Sequence, residues 1–384
     1  MKPVGWMEEA RMSSDPPVRV EERRVSGGVR LGYLALNQPA SLNALSLEGA
    51  ELLDAALSRW AEDTGVACVV LSGVGGRAFC AGADLRRIYR AIRSGDGGYA
   101  GRFFSSEYRV VAKIHRYPKP IFCWGDGIAY GAGLGLLAGA SHRVVTERSR
   151  LAMPEISIGF FPDVGGSWFL GRMPGRIGLF LGLTGLPFGA GDALFLKLAD
   201  AFLPSEERAA ILEERLPSLP WTGRAEEDRL LLSRSLREWA RPWRSRLAPA
   251  RTRLDFDRIQ SLTDADTLPE IVRKVACGPV STDPWYAQGA ENLAEGCPVS
   301  SWLVWELSRR TTRMSLTEVI RLETIVAWHC VRRSDFPEGI RARLIDKDRK
   351  PRWSDGSIEE VSPRKIGEHF QAPWAPEDDP MRDL

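Results

Sequence analysis

Two carboxylates, Glu155 and Asp163, stand in the stretch AMPEISIGFFPDVGG (152–166), where almost every other residue is apolar or glycine. Withdrawal from water raises the pKa of a carboxylate toward neutrality and suits it to giving and taking protons. The same residues at the same spacing would also serve as a helix cap or a loop anchor. A third acid, Glu107 in FFSSEYRVV, lies on an apolar-striped helical segment, from which it can face either a site or water. Ahead of these, FCAGADL (79–85) and GIAYGAG (127–133) each place small residues directly after a strand-like run. Backbone N–H groups there can approach a ligand without side-chain obstruction. Two such donors converging on one point would form an oxyanion hole, each worth about 2.7–4 kcal/mol in the transition state. Tight strand-to-helix packing would use the same small residues.

Other chemistries fit less well. Gly131 and Gly133 open a helix and Glu147 ends the next strand, yet the spacing is GxGxG and the acid comes too early for dinucleotide binding. Cys80 abuts the first small-residue loop but has no histidine close in sequence, which argues for a packing role over a nucleophile. The four histidines, His115, His142, His329 and His369, show no metal-ligand spacing, so no metal site is expected. His142 reads as a hydrogen-bonded residue at a strand start. The arginines of 309–313 read as a solvated face that could reach a phosphate.

Positioning these residues requires an α/β framework. VRLGYLALN (29–37), VACVVLSGV (66–74), KPIFCWGDG (119–127) and HRVVTE (142–147) read as strands, and they alternate with helices. One helix starts at Ser46 as N-cap, one near Arg86, one spans 103–114, and one of small residues follows Gly131. The core is expected to cover 18–216. A helical, Arg- and Trp-rich subdomain is expected over 217–350, after a leader at 1–17 and before an irregular tail at 351–384. Lys plus Arg (52) nearly cancels Asp plus Glu (50), so no global field draws the chain to nucleic acid. The most apolar stretch, 128–140, is too short and glycine-rich to span a bilayer. Six scattered cysteines without a CxxC pair, and no apolar leader, predict reduced thiols and a cytoplasmic protein.

Taken together, LALNQPASLNALS, GRAFCAGADL, KPIFCWGDGIAYGAGLGL and MPEISIGFFPDVGGSWFLGRMPG resemble, in that order, the crotonase (enoyl-CoA hydratase/isomerase) superfamily. FPDVGGSWFL and the later DFPEGIRARLIDKDRKPRW resemble its 3-hydroxyisobutyryl-CoA hydrolase branch, and the resemblance runs from about Val18 to Trp353. It implies an α/β fold, a crotonase-type spiral of ββα units with a helical C-terminal subdomain. A CoA thioester would be its substrate, with no separate cofactor, and the chain could form a homo-oligomer. The thioester oxygen would meet the N–H groups of Ala83 and Ala132, with Ala81, Asp84, Leu85 and Gly131 lining the substrate. Glu107, Glu155 and Asp163 would be the catalytic acids, which turns Glu107 toward the site.

Gln38 replaces the usual arginine of Asn-Arg-Pro, and Ala83 and Ala132 stand where glycine is common; the alanines keep the donors but narrow the pocket. Enoyl-CoA hydration or isomerisation on the same scaffold, and a non-catalytic acyl-CoA-binding subunit, are the alternatives. The superfamily's hydratases resemble two-carboxylate enzymes, with the second acid on the helix after the second glycine loop. That position is Gly135 here.

Overall fold

In a computed structural model of the chain, residues 15–96, 98–277 and 283–384 are described; most of the leader expected at 1–17 lies outside them. Among the described residues nine strands follow one another as β1 (Val18–Arg24), β2 (Arg30–Leu36), β3 (Val66–Gly73), β4 (Ala78–Cys80), β5 (Ile121–Gly125), β6 (Ile128–Tyr130), β7 (His142–Val145), β8 (Arg150–Ala152) and β9 (Ala201–Phe202). Six form one sheet in the order β1-β2-β3-β5-β7-β9, parallel except for the β1–β2 hairpin. The other three form a small parallel sheet, β4-β6-β8. Every residue of β3 except Gly73 is buried, as a central parallel strand covered on both faces requires.

The helices that matter for the site are α1 (Leu47–Glu62), α2 (Leu85–Ser94), α3 (Tyr99–His115), α4 (Ala132–Gly139) and α5 (Gly166–Leu170). Ser46 caps α1 as its type predicts, accepting from the Gly49 N–H at 3.1 Å. Each turn of the chain deposits one strand in the large sheet, then one in the small sheet, then passes into helix or loop. The pairs β3/β4, β5/β6 and β7/β8 repeat this step and build the expected spiral. Because β4, β6 and β8 are parallel neighbours, with Ala78 opposite Ile128 and Tyr130 opposite Ala152, the segments leaving their carboxyl ends sit side by side. Those segments are 81–83, 131–132 and 153–155.

The chain after 217 is helical, and part of it returns to the core. Leu232 and Leu236, on the helix Ala225–Ala240, bury against Val70, Phe122 and Trp124 on the outer face of the large sheet. The helix Leu316–Arg332 lies along α3. Residues 351–384 are mostly irregular and tied down: Arg109 of α3 holds Asp383 at 2.6 Å, and Arg321 reaches the carbonyls of Met381 and Leu384. No helix among the described residues is long and apolar enough to cross a membrane.

Candidate active site

A cavity of about 570 Å³ opens at the carboxyl ends of β4, β6 and β8. It takes in all three acids, Glu107, Glu155 and Asp163, and the two alanines, Ala83 and Ala132. Ala81, Asp84, Leu85 and Gly131 line it as well, so all nine residues that the family resemblance assigned to the site lie on one wall or another. Asp84 has a second task, accepting from the Arg87 N–H as the N-cap of α2.

Local geometry explains why the two donors are free. Leu45 bridges the first loop by accepting from the Asp84 N–H and donating to the Gly82 carbonyl, both at 2.8 Å. In such a bridge the N–H of the intervening Ala83 points to the opposite side. Ala132 is the first residue of α4, where a helix leaves its N–H without an intrahelical acceptor. Gly131 before it adopts φ 49°, and a Cβ there would stand 2.6 Å from Glu155 Oε1. Only glycine permits both that turn and the approach of the carboxylate.

Glu107 comes from the middle of α3, where Phe103, Phe104 and Tyr108 are among the residues buried with it. Glu155 opens a single 3-10 turn, Glu155–Ile158, directly after Pro154. Asp163 begins the loop into α5. One carboxylate oxygen each of Glu107 and Glu155 is buried without a hydrogen-bond partner. Burial, then the charge of Asp163 and of Glu155, pushes Glu107 well above the usual carboxylate range. Burial and the Asp163 charge do the same to Glu155. Asp163 is raised by burial to about 7, with the Tyr108 hydrogen bond working the other way. Three acids this close and this dry share their charge and cannot all ionise at neutral pH.

Several site residues were invisible at the level of motifs. Tyr108 donates to Asp163 at 2.7 Å, and Glu323 of the helix Leu316–Arg332 accepts from the N–H groups of Gly165 and Ser167 at 2.7 and 2.9 Å. Between Asp163 and Gly165, Val164 is held at φ 53°, an unfavourable conformation for a β-branched residue. Phe104, Phe160 and Phe336 form an aromatic wall, with the first two rings stacked at 5.1 Å. Arg86 and Arg343 supply the cations at the cavity, and Arg343 Nε is buried without a partner. The only advance sign of Phe336 and Arg343 was the DFPEGIRARLIDKDRKPRW segment.

Other expectations find structural homes. Arg309 and Arg310 pair with Glu306 and do not line this cavity, so the solvated-face reading stands over a phosphate-binding one at this site. The Cys80 thiol is buried and pushed up to about 12, a packing residue. His142 starts β7 and bonds Ser141 and Ser233 at 2.9 Å each.

The enoyl-CoA hydratase/isomerase family matches residues 31–370. The chain is 34% identical over 339 residues to the mitochondrial 3-hydroxyisobutyryl-CoA hydrolase of Xenopus tropicalis, covering 88% of this chain and 86% of that protein. It is 32% identical over 341 residues to the mitochondrial 3-hydroxyisobutyryl-CoA hydrolase of Homo sapiens, covering 89% and 86%. A solved structure of an enoyl-CoA hydratase from Rhodobacter sphaeroides superposes with a TM-score of 0.78 at 34% identity, over 92% of this chain and 97% of that one. The cytoplasmic expectation is overturned by the relatives' names, which point to mitochondria. Its ground was reduced cysteines and leader composition, and reduced thiols do not discriminate between the two compartments. With a family match across most of its length and relatives above 30% identity, the chain belongs to the enoyl-CoA hydratase/isomerase family.

Proposed function

We propose that the protein hydrolyses a short, branched 3-hydroxyacyl-CoA thioester, 3-hydroxyisobutyryl-CoA foremost, to the free acid and CoA, a step of valine breakdown. The observation that carries this reading is the meeting, in one cavity, of three desolvated acids with two N–H donors set at the ends of neighbouring strands. The Ala83 and Ala132 N–H groups polarise the thioester carbonyl and take up the negative charge that grows on its oxygen. In the form of the coupled acids that carries the charge on Glu155, this carboxylate removes a proton from water as the water oxygen bonds to the carbonyl carbon. It can instead attack that carbon itself, giving a mixed anhydride that water then opens. In either course the C–S bond breaks and the leaving sulfur takes a proton; Asp163, held near pH 7, is suited to supply it. Glu107 positions the water or the 3-hydroxyl. No separate cofactor enters the reaction.

Against the hydratase alternative stands the packing around Gly135. A Cβ there would lie 2.7 Å from both Cβ and Cγ2 of Val164, so the place of the second hydratase carboxylate is already filled by the loop that carries Asp163. Thiol titration and enoyl absorbance on one preparation test the reading. Thiol release from 3-hydroxyisobutyryl-CoA or 3-hydroxypropionyl-CoA, with little hydration of crotonyl-CoA, is the expected result. Loss of enoyl absorbance without thiol release would favour the hydratase. Inertness toward every acyl-CoA, with binding retained, would favour a non-catalytic subunit.

A further inference from the structure

A second cavity, of about 420 Å³, lies at the carboxyl ends of α3 and α4 and shares no lining residue with the acyl site. His115, Lys119, Arg143, Arg172, Lys197 and Arg229 line it, with no aspartate or glutamate among the described lining residues, and Lys119 is turned away to the carbonyls of Trp60 and Asp63. The charges differ in how far they are already used. Arg143 is committed to Asp200 through two nitrogens at 2.8 Å. Arg229 donates to the carbonyls of Tyr117 and Lys119, which satisfies the chain end beyond α3 without neutralising the guanidinium. Arg172 likewise donates only to carbonyls, those of Trp168 and Met314, at 3.0 and 2.8 Å. Its guanidinium lies over the Trp168 ring, 4.3 Å from the centroid. Lys197 sits at the rim on a left-handed residue, φ 60°. His115 packs edge-on against the same Trp168, 5.7 Å between centroids, and its Nε2 is buried with no hydrogen-bond partner. Burial and the Arg143 charge hold His115 down to about 4, so the ring is neutral and can still offer an N–H.

A chain with a net charge of only +2 has gathered several cations around one concavity with no balancing acid among the lining residues. Uncompensated positive charge in a partly dry recess lowers the free energy of a bound anion. The volume exceeds that of a single small ion, and the Trp168 face offers a flat apolar wall.

We propose that this cavity is a second binding site, for a small anion bearing two or more negative charges carried by phosphate or carboxylate groups. Arg172, Lys197 and Arg229 supply the charge, His115 supplies a donor and Trp168 the stacking wall. Calorimetric titration of inorganic pyrophosphate, and separately of citrate, into the full chain already saturated with CoA tests it. The expected result is saturable heat with at least one of the two probes, the identity of the better one telling phosphate from carboxylate chemistry. The double variant Arg172→Gln/Lys197→Ala, which leaves the acyl cavity untouched, should weaken that binding at least tenfold while thioester turnover without the probe is unchanged. Absence of saturable heat with both probes, or equal affinity in the double variant, overturns the proposal.

Discussion

The Tyr108 hydroxyl donates to Asp163 Oδ2 at 2.7 Å, across the gap between α3 and the loop that enters α5. This bond favours the charged form of Asp163 against the burial that raises its pKa to about 7. Tyr108→Phe removes it without changing the ring's packing. A hydrogen bond to a charged group contributes about 1.5–3 kcal/mol, which corresponds to a shift of about 1–2 pH units in a titration. The limb of the kcat/KM profile governed by Asp163 should therefore move to higher pH by that amount. An unmoved profile would detach Asp163 from the rate.

Glu155→Gln keeps the shape of the side chain and abolishes its basicity. The variant should fold, bind CoA normally and lose at least about 10²-fold in kcat, the usual weight of a general base or more for a nucleophile. Turnover near that of the unsubstituted protein would remove Glu155 from the mechanism.

The raised acids also predict how stability depends on pH. A carboxylate whose folded pKa lies above its unfolded value favours the folded state while protonated. That contribution is complete below the unfolded values near 4 and is lost as pH rises through the folded ones, about 7 for Asp163 and about 8 for Glu323. The melting temperature should fall between about pH 6.5 and pH 8, above the window in which the buried histidines His115, His142 and His369, held down to about 4, add stability as pH rises. Glu107→Gln should make that fall smaller by about 2 °C or more. An identical fall in the variant would mean that Glu107 is no harder to ionise in the folded chain than in the unfolded one.

Gly135 is fitted to Val164 so closely that one methyl group is too many. Gly135→Ala should destabilise the protein by about 1–3 kcal/mol in urea unfolding, as overpacked cores do. It should also depress kcat, because the displaced loop carries Asp163. Gly135→Glu should bring no hydration of crotonyl-CoA. Gain of that activity would show that the loop yields, and would undo the packing argument against the hydratase.

Much of this arrangement could be read from residue types, and the rest for definite reasons could not. Long strands such as β2 and β3 announce themselves by runs of apolar and β-branched residues, and α1 by its Ser46 cap. Strands β4, β6 and β8 have three residues each, too few for any periodicity, and they form only because their parallel partners are there. Yet those three strands align the donors. The acids Glu155 and Asp163 stood out because their neighbours are apolar. By its own stripe Glu107 read toward water, and only the family resemblance turned it inward, because the stripe of a single helix does not say which elements will cover it. Glu323 is one of two acids on the helix Leu316–Arg332, and nothing local separates it from the solvent-facing Glu318. Leu232 and Leu236 cover the large sheet, a contact between distant segments that no local pattern specifies.

Phe336, Arg343 and Leu344 close a cavity whose opposite side is laid down by residues as early as Ala40. About 190 residues separate Glu155 from Leu344. At the pace of translation, roughly 5–20 residues per second, that interval lasts about 10–40 s. For most of it the nascent chain has its acids, with Phe104 and Phe160 but not Phe336, in an unfinished pocket open to water. Any shortened chain that stops before Phe336 is fixed in that unfinished condition, and the dryness that lifts the acids' pKa values is acquired only when the last part of the wall arrives.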